Sequence, residues 1–369
     1  MRPLDRRDFF RTAGAALAAT SEAAPTTGKI RVGILGTQHD HLRGKLAAMR
    51  DSPDYEVVSV CEHDREVQKK QASDPLFRGL KWVSEEDLLG DSSLRLVVVE
   101  CKPWEAVPWG MKVVAAGKHM HLEKPPGNKW EPFKELVDEA RRKKLLLQMG
   151  WVLRGHEGID AAIKAAKEGW IGDVYLLRAT MNSDRDQPQR NREATYPGGA
   201  MFELGGHLID RVVATLGRPN KVQSWLRHDM SIADKLADNT VAVFEYDRAL
   251  AVVSTAARMF GAGDHRSFEL IGSDGSFMIQ PLDNDVKMTV GMREARGPYK
   301  QGWQEISLGR QPRYIADFAE LARALKSNSP LKLSYDHELW VYETLLRASG
   351  EMALARRTAA LLPREVHAP

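Results

Sequence analysis

The chain has 369 residues, 43% of them hydrophobic and 28% charged, long enough for two domains with cores of their own. Its 53 basic residues stand against 50 acidic ones, a formal net charge of +3, which is too small a surplus to drive binding to nucleic acid or to an anionic membrane. No stretch approaches the roughly 20 apolar residues of a membrane span.

The N-terminal segment "LDRRDFFRTAGAALAATSEAA" sets Arg6 and Arg7 before Phe9 and Phe10, then runs through Ala, Gly and Leu. That order is similar to a twin-arginine export signal occupying residues 1–28, which implies export of a folded protein to the periplasm. The alternative is a plain basic N-terminus on a cytoplasmic protein.

From Lys29 to about residue 150, strands and helices alternate. "KIRVGIL" reads as a strand and Leu42–Arg50 as the start of a helix. "YEVVSVCE", a charged helix from Asp64, "LKWV", "EEDLLG" and the almost wholly apolar "LRLVVVEC" follow. Residues 105–117 read as a helix closing at Gly117, "HMHLEKP" as a strand, residues 126–146 as a charged helix and "LLLQMGWV" as a strand. Apolar runs this continuous belong to strands buried on both faces. The alternation predicts a doubly wound parallel sheet with ligand at the strands' C-terminal ends.

Past Trp151 the pattern changes. One helix, "GIDAAIKAAKEG", leads to "DVYLLRATMNS", then to an irregular stretch at 184–199. The runs "NKVQSWLR", "NTVAVFEY", "ALAVVSTAAR" and "HRSFELIGSDGSFMIQP" come after it, the last with a Ser-Asp-Gly hairpin signal at 273–275. Short turns between such runs predict a large, mostly antiparallel sheet. Helices at 314–325 and 337–356 end the second domain, 151–369. The two cysteines, Cys61 and Cys101, end strands on either side of a shared neighbour, about 9.6 Å apart. Disulfide Cα separations rarely exceed about 7 Å, so free thiols are expected.

Three segments carry chemistry. In "VGILGTQHDH", Gly36 takes the first turn position of a dinucleotide loop, but Gln38 and His41 replace the second and third glycines. Backbone N–H groups at Thr37, Gln38 and His39, and the Thr37 hydroxyl, remain for phosphates. Glu62, ending the second strand, is placed for ribose hydroxyls and against a 2′-phosphate, favouring NAD over NADP. In "HLEKPP", Glu123 and Lys124 end the fifth strand, and an ammonium there can stabilise a developing alkoxide. Lys102, after the fourth strand, also faces the expected nucleotide cleft. In "GGAMFELGGHLIDRVV", Glu203, His207 and Asp210 fall within roughly 60° on one helical face. His207 is the proton carrier of that set, and Glu203 or Asp210 would orient it. Trp151 and Arg154, after the last parallel strand, and Arg190, Arg192 and Tyr196, in the irregular stretch, are candidates for substrate contact.

Together "VGILGT", Glu62, "AAGKHMHLEKP", "KEGWIGDV", "GGAMFELGGHLID" and "FELIGSDGSF" resemble the glucose–fructose oxidoreductase/inositol dehydrogenase family (Gfo/Idh/MocA) from Lys29 to about Gly350. The resemblance implies an N-terminal Rossmann domain binding NAD. It also implies a C-terminal α/β domain whose open sheet builds dimers or tetramers. Lys124 and His207 match the family's catalytic lysine and histidine, while Glu203 stands where many members carry aspartate. The implied chemistry is hydride transfer between nicotinamide and a sugar or polyol, with no resident metal, nucleic acid or membrane partner. A second reading keeps NAD but uses it transiently, oxidising a sugar to a 3-keto form so that it can be cleaved or epimerised. A third takes His39 and His41, or His119 and His121, as zinc ligands of a metal-dependent hydrolase. A fourth is a binding protein that has lost catalysis.

Overall fold

Apolar runs separated by capped helices fold as the alternation requires. In the computed structural model, which describes residues 28–352, β1 (Ile30–Leu35), α1 (Leu42–Asp51), β2 (Tyr55–Cys61), α2 (Arg65–Ala72), β3 (Lys81–Trp82), α3 (Glu85–Gly90), β4 (Leu96–Val99), α4 (Pro103–Ala115), β5 (His119–Leu122), α5 (Trp130–Arg142) and β6 (Leu147–Met149) form the first half. Their six strands are parallel, in the order β3-β2-β1-β4-β5-β6. The order reverses at β1, so a crevice opens between the C-terminal ends of β1 and β4, where such sheets bind ligands. Cys61 ends β2 and Cys101 lies two residues beyond β4, with β1 between those strands; both thiols are free and buried. The leader expected at 1–28 falls, but for its last residue, outside the described residues.

The second half contains α6 (Glu157–Lys167), β7 (Val174–Thr180), α7 (Gln187–Glu193), α8 (Gly206–Leu216), β8 (Lys221–Arg227), β9 (Asn239–Glu245), β10 (Leu250–Ala256), β11 (Ser267–Gly272), β12 (Gly275–Gln280), β13 (Val286–Met292), β14 (Gly302–Gly309), α9 (Ile315–Ser327) and α10 (Tyr335–Ala348). Its eight-stranded sheet runs β14-β13-β12-β11-β7-β10-β9-β8 and is antiparallel except where β7 lies beside β10. The hairpin expected at 273–275 joins β11 to β12 through Ser273 and Asp274, with Gly275 already in β12. β13 and β14 add two strands beyond those expected.

Three further features depart from the sequence reading. The stretch 184–199 is not irregular throughout, because α7 lies within it. Asp186 accepts from the Gln189 backbone, and the Gln189 side chain accepts from the Asp186 backbone, a reciprocal cap with Pro188 in the first turn. Before α8 the chain makes one π-turn, Met201–Gly205, so Glu203 and His207 do not follow ideal α spacing. Finally, α9 returns to the first sheet. Phe318, Leu321, Ala322 and Leu325 pack on Ile30, Val32, Tyr55, Leu96 and Val98, so a helix from late in the chain covers one face of the first sheet. α10 packs on α5, with Tyr342 and Phe133 ring centroids 4.4 Å apart.

Candidate active site

The loop after β1 turns at Gly36, whose φ is +86°. A Cβ there would lie 2.6 Å from the Glu100 carbonyl oxygen and 2.7 Å from the Trp109 ring, so this glycine is required both by its backbone and by space. The loop then enters α1, whose N-terminus has no side-chain cap and no acidic residue in its first turn. An uncapped helix start of this kind suits a pyrophosphate. Glu62 closes the loop from the side. It accepts from the Thr37 backbone (2.8 Å), the Thr37 hydroxyl (2.7 Å), the Gln38 amide (3.0 Å) and the Asp64 backbone (3.0 Å). Both of its oxygens are thus engaged by the turn itself, and ribose hydroxyls reach this carboxylate only where the Gln38 amide gives way.

Lys124 and Glu203 meet across the two halves. The Lys124 ammonium donates to Glu203 Oε1 at 2.9 Å and lies 3.3 Å from the Glu203 carbonyl oxygen. Burial works to raise the Glu203 carboxyl, but Lys124, with His39, outweighs it and holds it below the usual range. His207, one turn on, is buried and its ring stands edge-on to Trp151 at 5.7 Å. Gly206 makes this packing possible, since a Cβ there would sit 2.6 Å from the Trp151 ring. Burial, helped by Lys124 and His41, keeps the His207 imidazole neutral, far below its ordinary pKa. Its Nδ1 accepts the Val152 backbone N–H at 3.2 Å, which fixes the ring proton on Nε2. His207 therefore enters the site as a hydrogen-bond donor, the state from which its Nε2 returns a proton to a substrate oxygen.

A cavity of about 200 Å³ lies beside this junction, walled by Gln38, His39, His41, Lys102, Tyr196 and Glu203, with Asp40, Arg185 and Arg192 at its edge. Of the other expected substrate residues, three are committed elsewhere. Arg190 is buried and held by Asp234 (2.7 Å) and Asp238 (2.8 Å). Arg154 is buried between Asp210 (2.6 Å) and Glu338 (2.7 Å). Trp151 is buried against His207. Asp210 likewise does not orient His207. It receives Arg154, Arg211 and His337, the last at 2.9 Å, and so ties α8 to α10 and to the turn after β6. Arg185, which the sequence reading passed over, reaches the cavity and pairs with buried Glu193 at 2.8 Å. The helical cap at Asp186 was the available signal for that placement.

Under the loop lies a second group missed from sequence. Lys45 of α1 is fully buried between Glu100, at 2.6 Å, and Glu123, which it also contacts. Burial would raise the Glu123 carboxyl, but His39, Lys45 and His41 outweigh it and hold it ionised. With that ammonium shared, burial pushes Glu100 up, to about 8. His41 Nδ1 is 3.1 Å from Glu123 Oε1 and His39 Nδ1 is 3.8 Å from Oε2. His39, His41 and Glu123 offer ligand atoms within 4.8 Å of one another, but Lys45 already supplies the cation against Glu123. His119 and His121 do not form a second pair. His119 Nδ1 accepts from the Leu146 backbone at 2.9 Å, and His121 Nδ1 lies 2.9 Å from the Gln148 amide oxygen. The hydrolase reading also required a closed barrel, and the two open sheets are not one.

Residues 30–151 match the model of an oxidoreductase family with an NAD-binding Rossmann fold, and residues 159–278 match the GFO/IDH/MocA C-terminal domain. An uncharacterized oxidoreductase of Rhizobium meliloti is 23% identical over 86% of this chain and 95% of its own. The scyllo-inositol 2-dehydrogenase (NADP(+)) of Bacillus subtilis is 24% identical over 74% of each. An Agrobacterium radiobacter oxidoreductase, solved with NAD+, L-tartaric acid and magnesium, shares the fold at a TM-score of 0.74 and 15% identity, over 88% of this chain and 96% of that one. Between them the two models cover most of the parallel sheet and much of the second half, and the chain belongs to the GFO/IDH/MocA oxidoreductase family.

Proposed function

We propose that the protein is an NAD-dependent oxidoreductase that moves a hydride between a carbinol carbon of a sugar, polyol or sugar derivative and nicotinamide. The observation that carries this reading is the ion pair of Lys124, from the end of β5, with Glu203, from the π-turn that leads into α8 and His207, beside a cavity lined by residues of the Gly36 loop. Bound NAD supplies the hydride acceptor. Gly36, Thr37, Gln38 and His39, with the start of α1 and Lys102, hold the nucleotide; Glu62 braces the turn and its charge disfavours a 2′-phosphate. Lys124 donates to the substrate oxygen and stabilises its negative charge as the C–H bond breaks, while His207 exchanges the hydroxyl proton through Nε2. Glu203 holds the ammonium in place, and Tyr196 and Arg192 bound the substrate end. A relative named as a scyllo-inositol dehydrogenase, and another named as a dTDP-sugar reductase, support the substrate class.

The open face of the second sheet carries Trp225, Val241, Val243, Leu250, Val252 and Met278, which suits a homodimer or homotetramer built through it. The paired arginines near the N-terminus support export to the periplasm. The test is a screen of free sugars and polyols with NAD, followed as NADH formation. Turnover with at least one of them, abolished in Lys124→Met, is expected. Product release with no net NADH favours the transient-oxidation reading instead, and saturable NAD binding without chemistry on any sugar contradicts both.

A further inference from the structure

The second half of the chain builds one end of the cavity, and that end is cationic. Gln38 and Lys102 line the end assigned to the nucleotide, whereas Arg185, Arg192, Tyr196 and Glu203 line the other. Glu203 is already paired with Lys124 at 2.9 Å. Arg192 is exposed and faces the exposed Asp40 carboxylate at 3.6 Å. Arg185 is held more firmly. Its backbone N–H donates to the Ala257 carbonyl at 3.0 Å, its own carbonyl accepts from Arg258 at 3.4 Å, and the next residue, Asp186, caps α7. Its Nε lies in the wall, 2.8 Å from Glu193 Oε1, while Nη1 and Nη2 hydrogen-bond to nothing among the described residues. Burial pushes the Glu193 carboxyl up, to about 7, against the pull of Arg185, so the group behind the guanidinium offsets its charge only in part. Arg185 also helps to hold the Glu203 carboxyl low, which places the fork within electrostatic reach of the Lys124–Glu203 pair.

We propose that the substrate is a sugar acid, and that Arg185 grips its carboxylate through Nη1 and Nη2, with Arg192 closing on it from the rim. The inference rests on the oxidoreductase reading and names the substrate of that site. A planar guanidinium presents paired donors whose spacing matches the two oxygens of a carboxylate. An arginine pinned along its backbone and braced at Nε loses little freedom when it binds. A neutral sugar offers the same fork only hydroxyls, which are weaker acceptors. A phosphate monoester carries more charge and a third oxygen, and one fixed fork with one exposed arginine at the rim suits the flat, two-oxygen group better. Lys124 takes the oxygen that is oxidised and Arg185 the acid group, so the separation of the two cations selects which carbinol carbon faces the nicotinamide.

Rates of NADH formation by the full chain on matched substrates test this: glucuronate and galacturonate against glucose and galactose, gluconate against sorbitol, with glucose 6-phosphate as a different anion. For at least one acid, kcat/KM is expected to exceed that of its neutral counterpart by about 10–100-fold, mostly through KM. Arg185→Gln is expected to bring this ratio to within a few-fold of one. Arg185→Lys, which keeps the charge and loses the fork, is expected to fall in between. Arg192→Gln, at an exposed position where folding is not at stake, is expected to lower the ratio by a few-fold. A parent enzyme that prefers neutral sugars, or glucose 6-phosphate over every acid, overturns the proposal, and so does an Arg185→Gln enzyme with the parental ratio. Calorimetric titration of the protein with the same acids, with and without NAD, separates binding from reaction. If no sugar yields NADH, the oxidoreductase reading fails. Saturable binding of an acid that Arg185→Gln abolishes then still supports the carboxylate site, and the absence of such binding refutes it.

Discussion

Lys45→Met is the most demanding test of the buried charge cluster beneath the Gly36 loop. The ammonium is fully buried, 2.6 Å from Glu100 and in contact with Glu123, both of them buried as well. At about 3 Å and an effective dielectric of about 20, one ammonium–carboxylate pair is worth about 5–6 kcal/mol. Desolvation costs several kcal/mol per ion, so the intact cluster is near balance. Removing only the cation is different. It leaves two buried carboxyls without a counter-charge and is expected to cost about 3–5 kcal/mol. Adding Glu100→Gln to Lys45→Met removes one of them and should recover about 1–2 kcal/mol. The sign of the pH effect follows. Without Lys45, burial raises the folded pKa of Glu123, which the parent holds low, and lifts the already raised Glu100 further, so the variant's folded state binds more protons than the parent's. The deficit of Lys45→Met must therefore grow from pH 5 to pH 8. Denaturant midpoints of the parent, single and double variants at both pH values are the assay. A single variant within about 1 kcal/mol of the parent, or a deficit that shrinks as pH rises, would refute this account of the cluster.

His121 is buried, and burial, with Lys45 next in effect, lowers its pKa to about 3. The unfolded chain takes up this proton below about 6.5 and the folded chain does not, so stability is lost as pH falls through that window, by about 2 kcal/mol at pH 5. His121→Gln should narrow the stability gap between pH 7.5 and pH 5 by that amount; an unchanged gap sinks the assignment. Glu62→Gln removes the charge facing a 2′-phosphate, and the ratio of NADP to NAD affinity is expected to rise roughly tenfold, about 1.4 kcal/mol; calorimetric titration of both nucleotides reads it, and an unmoved ratio rejects the role. On the open sheet, Val243 lies between Val252 and Gln223. Val243→Asp should turn an oligomer into a folded monomer by light scattering, whereas an unchanged mass places the interface elsewhere.

The first sheet was legible because its central strands are buried and therefore apolar, as in "LRLVVVEC", and because Gly36 and Gly117 mark turns that their backbones require. Lys124 and Glu203 were legible by position, and the structure brings them into contact. The cluster under the loop was not read, though its mark was present: Leu42, Lys45, Leu46 and Met49 form the inward stripe of α1, and a lysine inside such a stripe calls for a buried anion. Glu100, a charge ending an all-apolar strand, was the matching half. Arg190, Arg154 and Asp210 were misjudged for one reason. Charge in an expected cleft reads as function, whereas ion pairs between distant segments, such as Arg154 with Glu338, leave no local trace in sequence. The π-turn before α8 has the same character. Nothing in "MFELGG" announces it, and it changes how Glu203 sits relative to His207.

The central claim is that the crevice at the end of β1 holds a nicotinamide nucleotide under Lys124 and His207. Mass spectrometry of whatever the purified, folded protein releases on denaturation, paired with an NAD titration of the same preparation, tests it most directly. The account predicts one NAD site per chain, either filled on purification or saturable afterwards, and weakened when the helix start after Gly36 is blocked by Gly36→Val. No released nucleotide, together with no saturable binding of NAD or NADP at millimolar concentration, would contradict it.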